Sequence, residues 1–554
     1  MKHTRLFLSL LAVLASAGTA AQAQAIPDAG QSIRDIERQP PTLPPRQHLD
    51  INLPNKDEGP VSSSEGPRIA VKAFQVTGNT QIDDATIAAQ LADLAGRELT
   101  LAQLREGARR ITQLYRERGY PLARAWLPQQ EMVQGVVRME IIEGRYGAVR
   151  VDNQAHLNPL ALGPLKQLAP GEVVKADSLE HALLLMRELS GVNVTSTLQP
   201  GTEVGTTDLA VELTPDRLLQ GSVDINNYGN HYTGEYRLSA ALEMGNLLGL
   251  GDQLSLRVLG TDDKQLYGRV GWQSGGLGRW GTQLGVGYSH MQYTLGKDFD
   301  VLDATGSARV ASVWATQPLI RSRTLSLSAA IQFDHKRLQD DIGLYASRNA
   351  KHSQVVQASL SGNGNDDWLG GGASSFSLAW SSGSLHLEDA AYRATDAFTA
   401  RTRGNFQKMN VSLARWQQLS APFSLYGSIE GQWANRNLDS SEKMGLGGAY
   451  GVRAYPQGEA SGDQGWLGKL ELRYAVAPGW QLSTFVEHGE VRTSKKPWVA
   501  GRNSRSLSGA GLGAYWSDGV WYMQASMAWK LGSEEPTSGP KQTPRLWAQL
   551  GRRF

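Results

Sequence analysis

The sequence predicts a transmembrane β-barrel of about 16 antiparallel strands, preceded by two small α+β modules and a short amino-terminal helix. Three observations carry this. From Asp216 onward apolar and polar residues alternate with period two; before it a module of about 70 residues occurs twice; and the chain opens on an export signal yet contains no cysteine.

Lys2 and Arg5 precede an apolar stretch from Leu6 to Leu14, and small residues then lead to Ala23-Gln24-Ala25. Residues 1–25 therefore read as a removable signal peptide, with the mature chain beginning near Ile26. The absence of cysteine rules out a disulfide framework, a thiol nucleophile and a cysteine-ligated metal. A net charge of +2 over 554 residues offers no basic footprint for nucleic acid. Past the signal no run of about 18 apolar residues occurs, so a membrane-spanning helix is not expected.

Residues 26–39 could form a short helix, polar nearly all round, with Ile33 and Ile36 as its apolar anchors. Such a helix cannot pack on an ordinary core, which leaves a disordered terminus or a home in a polar, water-filled lumen. Residues 40–67 carry Pro40, Pro41, Pro44, Pro45, Pro54, Pro60 and Pro67, the composition of an extended linker rising about 3 Å per residue.

Residues 68–144 read as a compact βααββ unit. A strand around Phe74 and Val76 comes first; Thr100 and Gln103 then form a capping box, and Leu101, Leu104, Ala108, Ile111, Leu114 and Tyr115 recur at helical spacing. Gly119 stops that helix, and strands follow at 122–127 and 136–142. Residues 145–215 repeat the plan more loosely, with a strand around Val149 and Val151 and a helical stripe of Leu179, Ala182, Leu183, Met186 and Leu189. Strands at 192–198 and 208–213 complete it.

Residues 216–554 alternate. Leu284, Val286 and Tyr288 stand against Gly285, Gly287 and Ser289; Leu325, Leu327, Ala329, Ile331 and Phe333 against Ser326, Ser328, Gln332 and Asp334; Phe423, Leu425, Ile429 and Trp433 against Ser424, Ser428, Glu430 and Gln432. In a soluble sandwich the apolar faces would meet in a core; in a membrane barrel they face lipid while small polar residues line water. The export signal, the interfacial Trp and Tyr and the Gly and Ser of the polar face favour the barrel. The length suits roughly 16 strands of about 10 residues. The chain ends on Phe554 with Leu546, Ala548 and Leu550 in phase, although Arg552 breaks that phase.

These residues resemble a family. "RERGYPLARAWLPQQEMVQGVVRMEIIEG" is similar to a POTRA module, "STLQPGTEVGTTDLAVEL" to the end of a second, and "NNYGNHYTGEYRLSAALEMGNLLGLGDQL" to the first barrel strands of the TpsB two-partner secretion transporters (haemolysin secretion/activation, ShlB/FhaC/HecB-like) of the Omp85 superfamily. The family carries a Val-Arg-Gly-Tyr motif at the tip of a loop folded into the lumen. Val452, Arg453 and Tyr455 match it, with Ala454 in place of Gly. Its arginine pairs with the acid of a Phe-x-Asp-x-Gly wall motif, which Phe485, Glu487 and Gly489 match with Glu in place of Asp.

The resemblance implies periplasmic POTRA domains, a helix carrying Ile33 and Ile36 that plugs the lumen, and the linker joining the two. It implies a pore that captures an unfolded secreted TpsA-type exoprotein (adhesin, haemolysin or contact-dependent toxin) and passes it to the cell surface. Insertion into outer-membrane lipid by the barrel-assembly machinery, and no cofactor or metal, go with it. The alternative within the superfamily is an outer-membrane protein assembly factor, whose members usually carry more POTRA modules and no plug helix.

An enzyme is not expected. Ser384, His386 and Glu388 superficially suggest a catalytic triad, but alternate residues on a strand lie about 6.5 Å apart, beyond hydrogen-bond reach, and they read as lumen or loop residues. Asp366 and Asp367 lack a calcium-loop spacing and read as a turn.

Overall fold

The computed structural model describes residues 26–38, 67–131 and 133–554. The expected signal peptide and nearly all of the Pro-rich tract lie outside the described residues.

Helix α1, Ala29–Glu37, is capped by Asp28, whose carboxylate accepts from the Gln31 amide at 2.8 Å. In the first module, strands Ala73–Thr77, Val136–Ile142 and Arg124–Trp126 form one sheet, with the central strand parallel to the first and antiparallel to the last. Helices α2 (Asp84–Leu91) and α3 (Leu101–Glu117) cover it. The capping box forms: the Thr100 amide donates to Gln103 Oε1 at 2.8 Å and the Gln103 amide to Thr100 Oγ1 at 3.3 Å. Leu104, Ala108, Ile111 and Tyr115 enter the core with Ile87, Val137 and Met139. Leu101, expected on that stripe, is exposed at the first position of the helix. A second small sheet, Ile69–Val71 with Arg97–Leu99, was not legible in the sequence.

The second module pairs Arg145–Asn153 with Thr206–Pro215 in parallel and Val192–Pro200 with the latter antiparallel, under helix α4 (Ala176–Arg187). A 3-10 turn, Gly163–Gln167, stands where the first module has α2, so the second module repeats the first only loosely. This module meets the barrel mouth directly. Glu188 pairs with Arg321 at 2.7 Å, Glu180 with Arg323 at 2.8 Å, and Gln167 Nε2 donates to the Arg279 carbonyl at 2.6 Å.

The remaining strands close into a 16-stranded antiparallel barrel, sealed where Arg545–Arg553 pairs with Leu219–Asn226. In strand Leu325–Ile342, Leu325, Ile331 and Phe333 face out, while Ser326, Ser328 and Gln332 face in. Strands reach 18 to 20 residues between Ala304 and Asp366, far beyond the roughly 10 needed to cross a bilayer, because this side of the wall continues above the apolar band. Arg552 faces outward and lays its guanidinium 5.6 Å from the Trp521 ring, so the break in phase is an interfacial arginine on an aromatic neighbour. Ser384 and His386 also face outward, on the continued wall rather than in the lumen; Glu388 follows the strand end.

Candidate functional site

The segment between strands Phe423–Ala434 and Gln464–Ala477 does not project into solvent. It returns through a short hairpin, Met444–Gly445 with Ser461–Gly462, and places Leu446, Val452, Ala454 and Tyr455 in an apolar cluster with Leu467, Phe485, Val491 and Leu507 of the inner wall. Close approach is made possible by wall glycines: a Cβ on Gly509 would stand 2.7 Å from Ala454 Cβ, and one on Gly489 would stand 2.9 Å from Leu446 Cδ2.

Arg453 is bound on every side. Its Nε donates to Glu487 Oε1 at 2.6 Å, its own amide donates to Glu487 Oε2 at 2.7 Å, and Nη2 donates to Glu471 Oε1 at 2.6 Å. The guanidinium carbon lies 3.3 Å from the centroid of Phe485, a stacking an ammonium could not reproduce. Trp547 Nε1 donates to the Arg453 carbonyl at 2.7 Å. Phe485, Glu487 and Gly489 share the inward phase of strand Trp480–Arg492, and Tyr455 donates to the Glu534 carbonyl at 3.2 Å. Of the two substituted positions, Glu487 bonds Arg453 and Ala454 packs against Gly509, and one cation satisfies two carboxylates.

Glu471 escaped sequence reasoning. The available signal was its phase: Leu470 and Leu472 face out, which puts Glu471 in the lumen, opposite Phe485 in the register. Trp547, on the last strand, had the same signal, since Leu546 and Ala548 face out on either side of it.

Above the tip the same segment is held by buried ion pairs. Glu442 sits between Lys336 at 2.6 Å and Lys408 at 2.8 Å. Burial opposes its charge, but the two ammonium groups outweigh that and hold its carboxyl down to about 2. Asp439 pairs with Lys351 at 2.6 Å, and Asp463 with Lys443 at 2.7 Å. Glu459 pairs with Arg505 and accepts from the Thr537 and Ser538 amides, both at 2.8 Å.

Helix α1 lies inside the barrel against this segment. Ser440 Oγ donates to Asp28 at 2.6 Å; Arg34 donates to the Ser440 and Lys443 carbonyls at 3.1 and 3.2 Å; Arg38 donates to the Gly445 carbonyl at 2.9 Å. Lys351 reaches both Asp439 and, at 3.5 Å, Asp28, so one wall lysine touches helix and loop together. Gly30 marks the closest approach, since a Cβ there would stand 2.4 Å from Ser440 Oγ. On the other side Glu37 accepts from Tyr267, Arg269 and Ser289 of the wall. Ile33 and Ile36 are each 3% exposed, against Tyr267, Met291, Tyr293, Ala308, Val310 and Leu338. The lumen is therefore not uniformly polar: it carries an apolar patch where this helix docks. Below the tip a cavity of ≈ 410 Å³ remains, lined by Tyr450, Arg453, Glu471, Glu487, Tyr515 and Gln524 among others.

Comparison with known proteins places this architecture. The family model for haemolysin secretion/activation protein ShlB/FhaC/HecB matches residues 205–516, and that for the ShlB-type POTRA domain matches residues 69–144. The chain is 27% identical over 544 residues to the heme/hemopexin transporter protein HuxB of Haemophilus influenzae (strain 86-028NP), covering 95% of each. It is 27% identical over 431 residues to the outer membrane transporter CdiB of Dickeya dadantii (strain 3937), covering 76% of this chain and 74% of that one. Among solved structures, CdiB from Escherichia coli superposes with a TM-score of 0.72 at 19% identity, covering 95% and 96% of the two chains. BamA from Haemophilus ducreyi lacking POTRA domains 1–3 is more distant in fold, with a TM-score of 0.50. The matched family model spans more than half of the chain, and with the closed barrel, its POTRA domain and the segment folded into its lumen, the protein belongs to the ShlB/FhaC/HecB haemolysin secretion/activation family of outer-membrane two-partner secretion transporters.

Proposed function

We propose that this transporter captures one unfolded secreted partner in the periplasm and threads it through the barrel, with the Arg453 loop and helix α1 as a two-part gate. The observation that carries the reading is the lumen itself: a polar-walled conduit closed by two segments, each held by charged bonds. Such bonds define one closed position and can be exchanged for water when cargo enters. An extended cargo segment would add to a free strand edge of a module, where backbone hydrogen bonds bind without demanding sequence.

In this reading residues 1–25 are a signal peptide, 26–39 the plug, 40–67 its linker, 68–144 and 145–215 two POTRA domains and 216–554 the barrel. Val452, Arg453 and Tyr455 form the loop motif, Phe485, Glu487 and Gly489 its wall receptor, and Ile33 and Ile36 the anchors of the plug. The barrel-assembly machinery inserts the chain into outer-membrane lipid. The cargo is an adhesin, haemolysin or contact-dependent toxin. Deleting the gene for this protein should abolish surface delivery of one large polypeptide, and removing residues 31–39 should raise single-channel conductance. Unchanged conductance would remove the helix from the gate.

A further inference from the structure

The outer wall carries a feature that transport does not use. In strands Gln283–Thr294, Ala304–Arg321, Leu325–Ile342, Ser347–Asp366 and Gly372–Leu387, five basic side chains stand directly opposite one another across successive strands. His290 is paired with Arg309, Arg309 with Arg337, Arg337 with His352 and His352 with His386. Directly paired residues share a face of the sheet. That face is the outward one: Arg309, Arg337 and His386 are exposed, and their neighbours Ala308, Leu338 and Leu385 point inward and are buried. With strands about 4.8 Å apart, the row is about 20 Å long.

Its position is set by the lipid-facing band. One outward step below Arg337 and His352 come His335 and Gln354, and below these Phe333 and Val356, the upper edge of the apolar face. The first barrel strand leaves the second module and so rises from the periplasm; this edge is consequently the extracellular one, and the row sits at the depth of the outer-leaflet headgroups.

The row's donors are available. Among the described residues neither Arg309 nor Arg337 has an ion pair, and Arg337 is oriented by donating from Nε to His335 Nε2 at 3.2 Å. The His352 and His386 rings stack at 4.9 Å with planes 5° apart, exposing their edges. His290 Nδ1 is enclosed, so this end of the row contributes less to the exposed face. Of the nearby carboxylates, Asp341 faces Arg348 at 3.8 Å, while Glu388 faces His352 of the row itself at 3.3 Å and occupies that imidazole nitrogen. Across the barrel the corresponding outward positions of strand Trp480–Arg492 are His488, Glu490 and Arg492, and Arg492 stands between Gln464 and Ser504 with no second guanidinium beside it.

We propose that this ladder docks the phosphate groups of the outer leaflet's phosphorylated glycolipid, with Arg309 and Arg337 as the principal ligands and the exposed His386 imidazole as a flanking N–H donor. Guanidinium suits the task because its fork binds phosphate oxygens two at a time. The site is one-sided, so it fastens the wall opposite strand Trp480–Arg492 to the lipid.

The test uses full-length protein in detergent and purified lipopolysaccharide, its enzymatically dephosphorylated form and inorganic phosphate, with binding read by native mass spectrometry and by the thermal midpoint. Wild type should bind the phosphorylated glycolipid and rise in midpoint, and R309Q/R337Q should bind it about tenfold more weakly while keeping the conductance and the heat-modifiable mobility of a folded barrel. R492Q on the opposite wall should bind as wild type does. Equal binding by wild type and R309Q/R337Q, equal binding of the dephosphorylated glycolipid, or full competition by millimolar inorganic phosphate would each overturn the proposal. Should the double variant fail to insert, R309Q alone gives the same comparison, with a smaller loss expected.

Discussion

Arg453 and Glu487 bond twice, once through the guanidinium at 2.6 Å and once through the arginine's own backbone amide at 2.7 Å. A single wall carboxylate thereby fixes both the side chain and the main chain of the loop tip. Removing Arg453 leaves Glu487 buried without its cation, a cost of about 3–5 kcal/mol, whereas removing the Glu487 charge costs less because Arg453 keeps Glu471 at 2.6 Å. Arg453→Ala should therefore reduce cargo secretion severely, and Glu487→Gln less so, while the barrel still inserts and the loop becomes accessible to protease. Arg453→Lys should fall in between, keeping charge but losing the stack on Phe485 and the second carboxylate. Full secretion by Arg453→Ala would take the loop out of the mechanism.

The tip fits its wall because Gly509 leaves room for Ala454. Gly509→Ala should destabilise the docked loop by about 1–3 kcal/mol through overpacking. Ala454→Gly should restore much of that loss, because the clash is between these two Cβ positions. A double-mutant cycle on secretion or loop protection measures the coupling; strictly additive effects would show that the two do not meet.

Helix and loop are latched to one another at Gly30 and Lys351. Gly30→Val cannot keep the helix where it lies, since the new side chain would overlap Ser440. The expected result is a higher and noisier single-channel conductance with an unchanged barrel melting temperature. Lys351→Met should do the same by stranding Asp28 and Asp439.

Glu442 sets a pH dependence. Its carboxyl is lowered from 4.5 to about 2, so the unfolded state binds the proton first and the charged native pair is favoured at higher pH. Its contribution, on the order of 3 kcal/mol from the size of that shift, is fully present above about pH 5 and is lost as pH falls from 4.5 toward 2. Conductance and melting followed between pH 7 and pH 2.5 should show the loop loosening in that window. Glu442→Gln should be weakened already at pH 7 and should lack that part of the profile.

The parts of this protein that were legible in advance are those whose signal is local. Alternation of Leu325 to Phe333 against Ser326 to Asp334 marks a sheet with one greasy face, and Thr100 with Gln103 marks a helix start, because each depends only on neighbours in the chain. Arg453 and Glu487 could be paired beforehand only through the resemblance of their two short motifs. Glu471 had a phase that placed it in the lumen, but nothing marked it as a partner of Arg453.

Sequence alone determined that each strand has an apolar and a polar side, since strand geometry sends successive side chains to opposite sides whatever else the chain does, but not that Ser384 and His386 face out on the extended wall. Only the closed tertiary structure decided what stands opposite what. Asp28, Lys351 and Asp439 meet because barrel closure and register bring distant segments to one depth, as they also bring His290 and His386 into one row four strands apart. Such meetings depend on the sum of all the pairings between them, and no local pattern encodes that sum.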